Sequence, residues 1–189
     1  MSDDVAVFDP DTAISVLAAD LLRGVDCATF RGRAAQLSVG MEVEDLEDLR
    51  FRLHRPPPEP SEYDFRKHGL GGWLSACQFA IFELVFCLGP PALPFLREIA
   101  WGPYDWTQGN AIEMLIRLAA QGAQTEQTAA EIAQKFPSMR YEAQLYTLEP
   151  LLPAMEGDPA LASLIRRLRA GVPAFDQVAC EIEGRTPPR

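Results

Sequence analysis

Residues 73–119 read WLSACQFAIFELVFCLGPPALPFLREIAWGPYDWTQGNAIEMLIRLA, and no other stretch restricts the fold as strongly. An apolar helix over 73–88 meets a Gly89-Pro90-Pro91 turn, then a helix from Ala92 to Trp101. A Trp-bearing loop over 102–106 leads to a third helix that Thr107 is placed to cap and Gly122 to stop. Connections this short oblige apolar helices to run antiparallel and pack side by side.

The flanking text reads as more helix. Asp11 or Thr12 can cap a helix over Ala13–Arg23, with Ile14, Leu17, Ala18, Leu21 and Leu22 on one face and Gly24 at its end. Residues 25–33 give no clear signal. A second helix is expected over Ala34–Leu53, broken near Gly40, with Val43, Leu46, Leu49 and Leu53 as its apolar stripe. His54–Pro60 (HRPPPEP) is a stiff extended linker, because proline lacks the helical donor and fixes φ. One helical turn fits Ser61–Lys67, followed by a glycine-rich loop. Beyond the central stretch, helices are expected over Thr125–Phe136, then from a Ser138 cap to Met155 with Pro150 and Pro153 kinking or ending it. Asp158-Pro159 is a helix start, cap then proline at the first position, for a helix to Ala170, and a last helix covers Pro173–Glu183. No segment has the alternation of a strand. The expected organisation is an acidic helical segment 1–53, a Pro/Gly-rich linker 54–72, helical repeats 73–183 and a disordered tail 184–189, in one compact domain.

A faint repeat recurs every 30 residues. Leu88, Leu118 and Leu148 align, as do Glu83 with Glu113, Leu84 with Met114, Phe86 with Ile116 and Leu115 with Leu145. Each unit is an αα-hairpin, which cannot bury its apolar face alone and needs a neighbour. Over residues 79–119 the text resembles the HEAT-repeat family. FAIFELVFCLG is similar to an inner helix ending in Leu-Gly, and PPALPFLREIA to an outer helix with its early Pro94. GPYDWTQGNAIEMLIRLA is similar to the Pro/Asp turn and next inner helix, Asp105 and Ala111 standing at the family's Asp and Ala. The family's basic residue early in the inner helix is replaced by Gln108 or Asn110. The resemblance implies an all-α fold, a stack of αα-hairpins forming a short right-handed α-solenoid, and protein binding as the usual role.

The net charge is −10, with 11 Asp and Glu against 4 Arg in residues 1–50. Nucleic acid and anionic membrane both demand a basic surface, so neither is the expected partner. Leu70–Leu88 is 19 residues long with one charge, Glu83, which is just long enough to span a bilayer. Its glycines and polar residues fit a buried central helix better. The start of the chain, MSDDVAVFDPD, is acidic and lacks the character of a secretory signal. The cysteines at 27, 77, 87 and 180 form no close pair, and Cys77 and Cys87 lie in apolar text as small hydrophobes. A reducing cytoplasm follows as the expected compartment.

Catalytic signatures are scarce. His54 and His68 have no ligand partner at helical spacing, and no metal, thiol-pair, nucleophile-elbow or phosphate-loop motif occurs. No cofactor and no metal are expected. Glu42, Glu44, Asp45, Glu47 and Asp48 form the densest acidic cluster, readable as a solvated helix face or as a docking patch for a basic partner. Trp101, Tyr104, Asp105 and Trp106 form an aromatic loop. Its rings can seal the helix ends while Asp105 accepts backbone N–H groups, or they can stand exposed as interface anchors. Glu83 and Glu113, one repeat apart, are either two surface acids or members of one groove.

Small size, acidity and the absence of catalytic groups suit a bacterial immunity protein, which occludes a cognate, basic toxin and would meet it quickly through complementary charge. A scaffold or adaptor gripping a peptide is the alternative. A repeat-type lyase or a carboxylate hydrolase using Glu83, Asp105 and Glu113 is a third, less favoured reading.

Overall fold

The computed structural model describes residues 8–185, and these hold eleven α-helices and no strand. The all-α class is therefore observed. The last four residues of the expected tail lie outside the described residues, while Gly184 and Arg185 complete the final helix. The chain divides into two compact units after Ala92. The division falls at the Gly-Pro-Pro turn, inside the stretch that reads as one continuous stack.

The first unit is built around α5 (Gly72–Cys87), along which α1 (Pro10–Arg23) and α2 (Cys27–Leu37) pack. Ile14, Leu17, Leu49, Ile81, Phe82 and Leu84 are fully buried, each contributing roughly 1.5–3 kcal/mol. The helix starts differ from expectation. Asp9 caps α1 through Asp11 and Thr12 N–H, and Pro10 takes the first position. Asp26 caps α2, inside the stretch without a clear signal. Such caps stabilise by about 1 kcal/mol each. The single helix expected over Ala34–Leu53 is two: α2 ends at Leu37, Gly40 turns with φ +82°, and α3 spans Asp45–Arg52. Leu46, Leu49 and Leu53 are buried as expected of the stripe, but Val43 is 49% exposed because it precedes α3 in the turn.

The proline linker is non-helical and tied down. Trp73 Nε1 donates to Pro57 O at 2.7 Å, and Gln78 Nε2 to Leu53 O at 2.9 Å. A short helix, α4 (Phe65–His68), follows it. The interior of this unit also takes two acids. Asp20 is met by Arg23 at 2.7 Å and Arg33 at 3.0 Å, and Glu83 by Arg31 at 3.8 Å. Burial pushes the Cys77 thiol up to about 12, with the Glu59 charge adding to it, so it behaves as a small hydrophobe.

The second unit is built around α7 (Gln108–Ala120), buried from Gln108 to Ala119. Helices α6 (Leu93–Trp101), α8 (Thr125–Lys135), α9 (Tyr141–Ala154) and α10 (Pro159–Gly171) pack on it, and α11 (Pro173–Arg185) packs on α9 and α10. The Asp158-Pro159 start is as read from the sequence. Ser138 does not cap α9; its hydroxyl donates to Lys135 O, and Arg140 occupies the cap position. Pro150 and Pro153 lie within α9 and do not end it. Gly109 faces α9 so closely that a Cβ there would lie 2.5 Å from Tyr146 Cβ and 2.9 Å from Ala143 O. Thr147 Oγ1 donates to Ala143 O at 2.8 Å beside the same contact.

Candidate functional site

The aromatic loop is held from both ends. Gly102 lets the chain leave α6, since a Cβ there would lie 2.6 Å from Glu98 O. Gln108, in the first turn of α7, donates from Nε2 to Gly102 O at 3.0 Å. Asp105 Oδ1 accepts from Thr107 N at 2.9 Å and Thr107 Oγ1 at 2.7 Å. Thr107 stands at the cap position but its side chain makes no cap bond; it donates to Asp105. The aspartate thus organises the helix entry, as its N–H-accepting role in the sequence reading implies.

The three rings separate into different environments. Trp101 is half-buried, its Nε1 donating to Glu131 Oε2 at 3.3 Å, with Lys135 Nζ 5.1 Å from the ring centre. Tyr104 is exposed, and the Arg140 guanidinium carbon lies 4.2 Å from its ring centre. Trp106 is 62% exposed. Each cation–ring contact of this kind contributes about 0.5–1 kcal/mol at an exposed site.

Beneath Trp101 lies a carboxylate network. Arg97 Nε donates to both Glu131 oxygens at 3.0 and 2.9 Å, and Gln127 Nε2 to Glu131 Oε1 at 2.9 Å. Arg97 also donates to Gln124 Oε1 at 2.8 Å, and Gln124 is held at φ +49° in the left-handed region. Burial pushes the Glu131 carboxyl up, but the bonds from Arg97, Gln127 and Trp101 outweigh it and hold the group below the ordinary glutamate value. Between this corner and the start of α9 lies an open pocket of about 330 Å³, lined by Trp101, Tyr104, Gln108, Lys135, Met139 and Arg140 among others.

The acidic cluster sits elsewhere, in the first unit. Glu42, Glu44, Glu47 and Asp48 are exposed, while Asp45 turns back so that Oδ2 accepts from Glu42 N at 2.8 Å. Val39, Val43 and Phe51 are exposed among them, at 63%, 49% and 55%. Val43, Glu47 and Phe51 follow one another at four-residue spacing along α3 and the turn before it, so they share its outer face. Arg55 stacks over Phe51, 4.9 Å from its centre.

Glu83 and Glu113 are both 5% exposed and so are not surface acids. Glu113 pairs with Arg117 at 3.4 Å, one turn on in α7, and both side chains are buried. Arg31, the partner of Glu83, has a side chain 41% exposed. Glu83 lies on the central helix of the first unit and Glu113 on that of the second.

No protein-family model, no curated protein and no solved structure matches this chain. Among the described residues, no group of three His, Cys, Asp or Glu is placed to hold a metal ion, and no helix is long and apolar enough to cross a membrane.

Lys135, Arg140 and Glu131 of the aromatic corner were not singled out by the sequence reading. They come from α8 and from the start of α9, and no local pattern links them to the loop. Val39 and Phe51 beside the acids had a weak local signal, as apolar residues outside the buried register of α3.

Proposed function

We propose that this chain is a protein-binding module of HEAT-like kind, presenting the outer face of α3 to a basic partner. The observation that supports this reading is the exposure of Val39, Val43 and Phe51 among Glu42, Glu44, Glu47 and Asp48. A purely solvated acidic face has no use for Val43 and Phe51 turned outward along one helix face, with Val39 exposed in the turn before them. An apolar centre rimmed by charge is instead the anatomy of a protein interface. The acids add long-range attraction and raise the encounter rate with a cationic partner. The most specific form of the proposal is a cytoplasmic immunity protein that occludes a cognate basic toxin.

The test is co-expression with the genes flanking its own, followed by binding kinetics on any toxic product. A nanomolar complex that relieves toxicity is expected. Replacing Glu42, Glu44 and Glu47 by Gln and Asp48 by Asn should slow association by at least about tenfold at low salt and little at high salt. Toxicity unrelieved by co-expression removes the immunity reading. Association indifferent to salt and to the four replacements removes the α3 face.

A scaffold that grips a peptide is the second reading, and a different observation favours it: the outward Tyr104 and Trp106 of the aromatic loop. Pull-down would then return several partners that do not depend on the α3 acids.

A further inference from the structure

We infer that the pocket between the Trp loop and the start of α9 binds an acidic peptide segment of a partner protein. The argument begins with charge. On a chain of net charge −10, two cations stand at one pocket of about 330 Å³. Among the described residues, neither Lys135 nor Arg140 has a carboxylate within ion-pair distance. Their contacts are the faces of Trp101 and Tyr104. Elsewhere in this unit four arginines pair with acids, Arg97 with Glu131, Arg117 with Glu113, Arg167 with Glu126, and Arg169 with Asp176 and Glu183, while the exposed Arg166 stands on α10 away from the pocket lining.

A ring face orients a cation without neutralising it. The Tyr104 ring, 4.2 Å from the guanidinium carbon, restrains Arg140 without using up its N–H groups, and these can grip a carboxylate through two parallel bonds. Lys135 supplies a second point charge against Trp101. Trp101, Tyr104 and Met139 give the pocket apolar wall for a side chain beside the acid. The volume is at the small end of ligand sites and suits a few residues rather than a folded surface.

The same charge balance selects the ligand class. A long polyanion such as nucleic acid would extend beyond the two cations and meet the protein's net negative field. A short segment carrying one or two carboxylates and an apolar residue stays within about a Debye length, 8–10 Å, of Lys135 and Arg140. The site shares no residue with the acidic face of α3, so either can fail without the other.

The test is calorimetric and NMR titration of the full chain with the blocked tripeptide Glu-Phe-Glu. The comparison ligands are its glutamine counterpart, inorganic sulfate and a short oligothymidylate. Binding of the acidic peptide below about 1 mM is expected, with the Trp101 indole N–H signal shifted and affinity falling as salt rises. Arg140→Gln should weaken it at least about fivefold, and Lys135→Met with Arg140→Gln at least about twentyfold, at unchanged melting temperature. Arg140 is exposed, so the single variant remains informative if the double variant unfolds. Equal binding of the glutamine peptide, full affinity in Arg140→Gln, or binding of sulfate or oligothymidylate in place of the peptide would each overturn the inference.

Discussion

The outer face of α3 and the corner around the Trp loop have a common plan and opposite sign. Each sets exposed apolar or aromatic side chains among charges, acids around Val43 and Phe51 and cations against Trp101 and Tyr104. On α3 the charges are sequence neighbours of the apolar residues. At the loop, they arrive from helices that follow a full helix later. A recognition surface written into one segment is visible in the sequence, while one assembled from three elements is visible only after folding. The units differ inside as well. Glu83 is answered by Arg31, whose side chain is 41% exposed, whereas Glu113 and Arg117 are both shut away.

The interior contrast predicts the largest effect. Glu113→Ala takes a buried carboxylate away from a buried guanidinium and should cost about 3 kcal/mol in chemical denaturation. Glu83→Ala releases Arg31, whose side chain is already 41% exposed, and should cost less. Equal losses would erase the distinction between the two units.

Within the loop, Trp101→Ala removes a half-buried ring and a bond to Glu131, and should cost about 2 kcal/mol. Trp106→Ala should stay within about 0.5 kcal/mol in thermal melts, as for an exposed side chain. If Trp106→Ala destabilises as much as Trp101→Ala, the loop is a packing device throughout and not a presented surface.

The smallest effect is on acid stability. The folded Glu131 carboxyl lies below its ordinary value of 4.5, so its contribution is present above 4.5 and is lost as pH falls through the lowered folded value. Glu131→Gln should flatten that part of the acid-unfolding curve while lowering stability at neutral pH. An acid branch unchanged by the substitution would show that the Arg97–Glu131 pair does not contribute there.

The fold was legible where the signal was local. Asp158-Pro159 is a complete helix start in two residues, and Gly122, at φ +95°, stops α7 as expected. Asp9-Pro10 is the same device and was misplaced by two or three residues, because Asp11 and Thr12 compete for the role in sequence. The first two turns of α2 gave no signal because the helix buries only Phe30 and Ala34, too thin a stripe to carry periodicity. The candidate site was half legible. The loop and the acidic cluster stood out by composition. The burial of Glu83 and Glu113 did not, since it depends on arginines and packing that spacing alone does not reveal.

Gly109 carries a mechanical meaning for the loop. With Tyr146 and Ala143 pressed against its bare Cα, α7 and α9 meet as a keyed joint, and neither helix can slide by a residue without collision. The Trp loop feeds directly into α7, and Arg140 directly precedes α9, so ring and guanidinium are mounted on two bodies locked at one point. A jaw set at fixed gape closes on its ligand without first having to be assembled, and most of the ordering entropy has already been spent in folding.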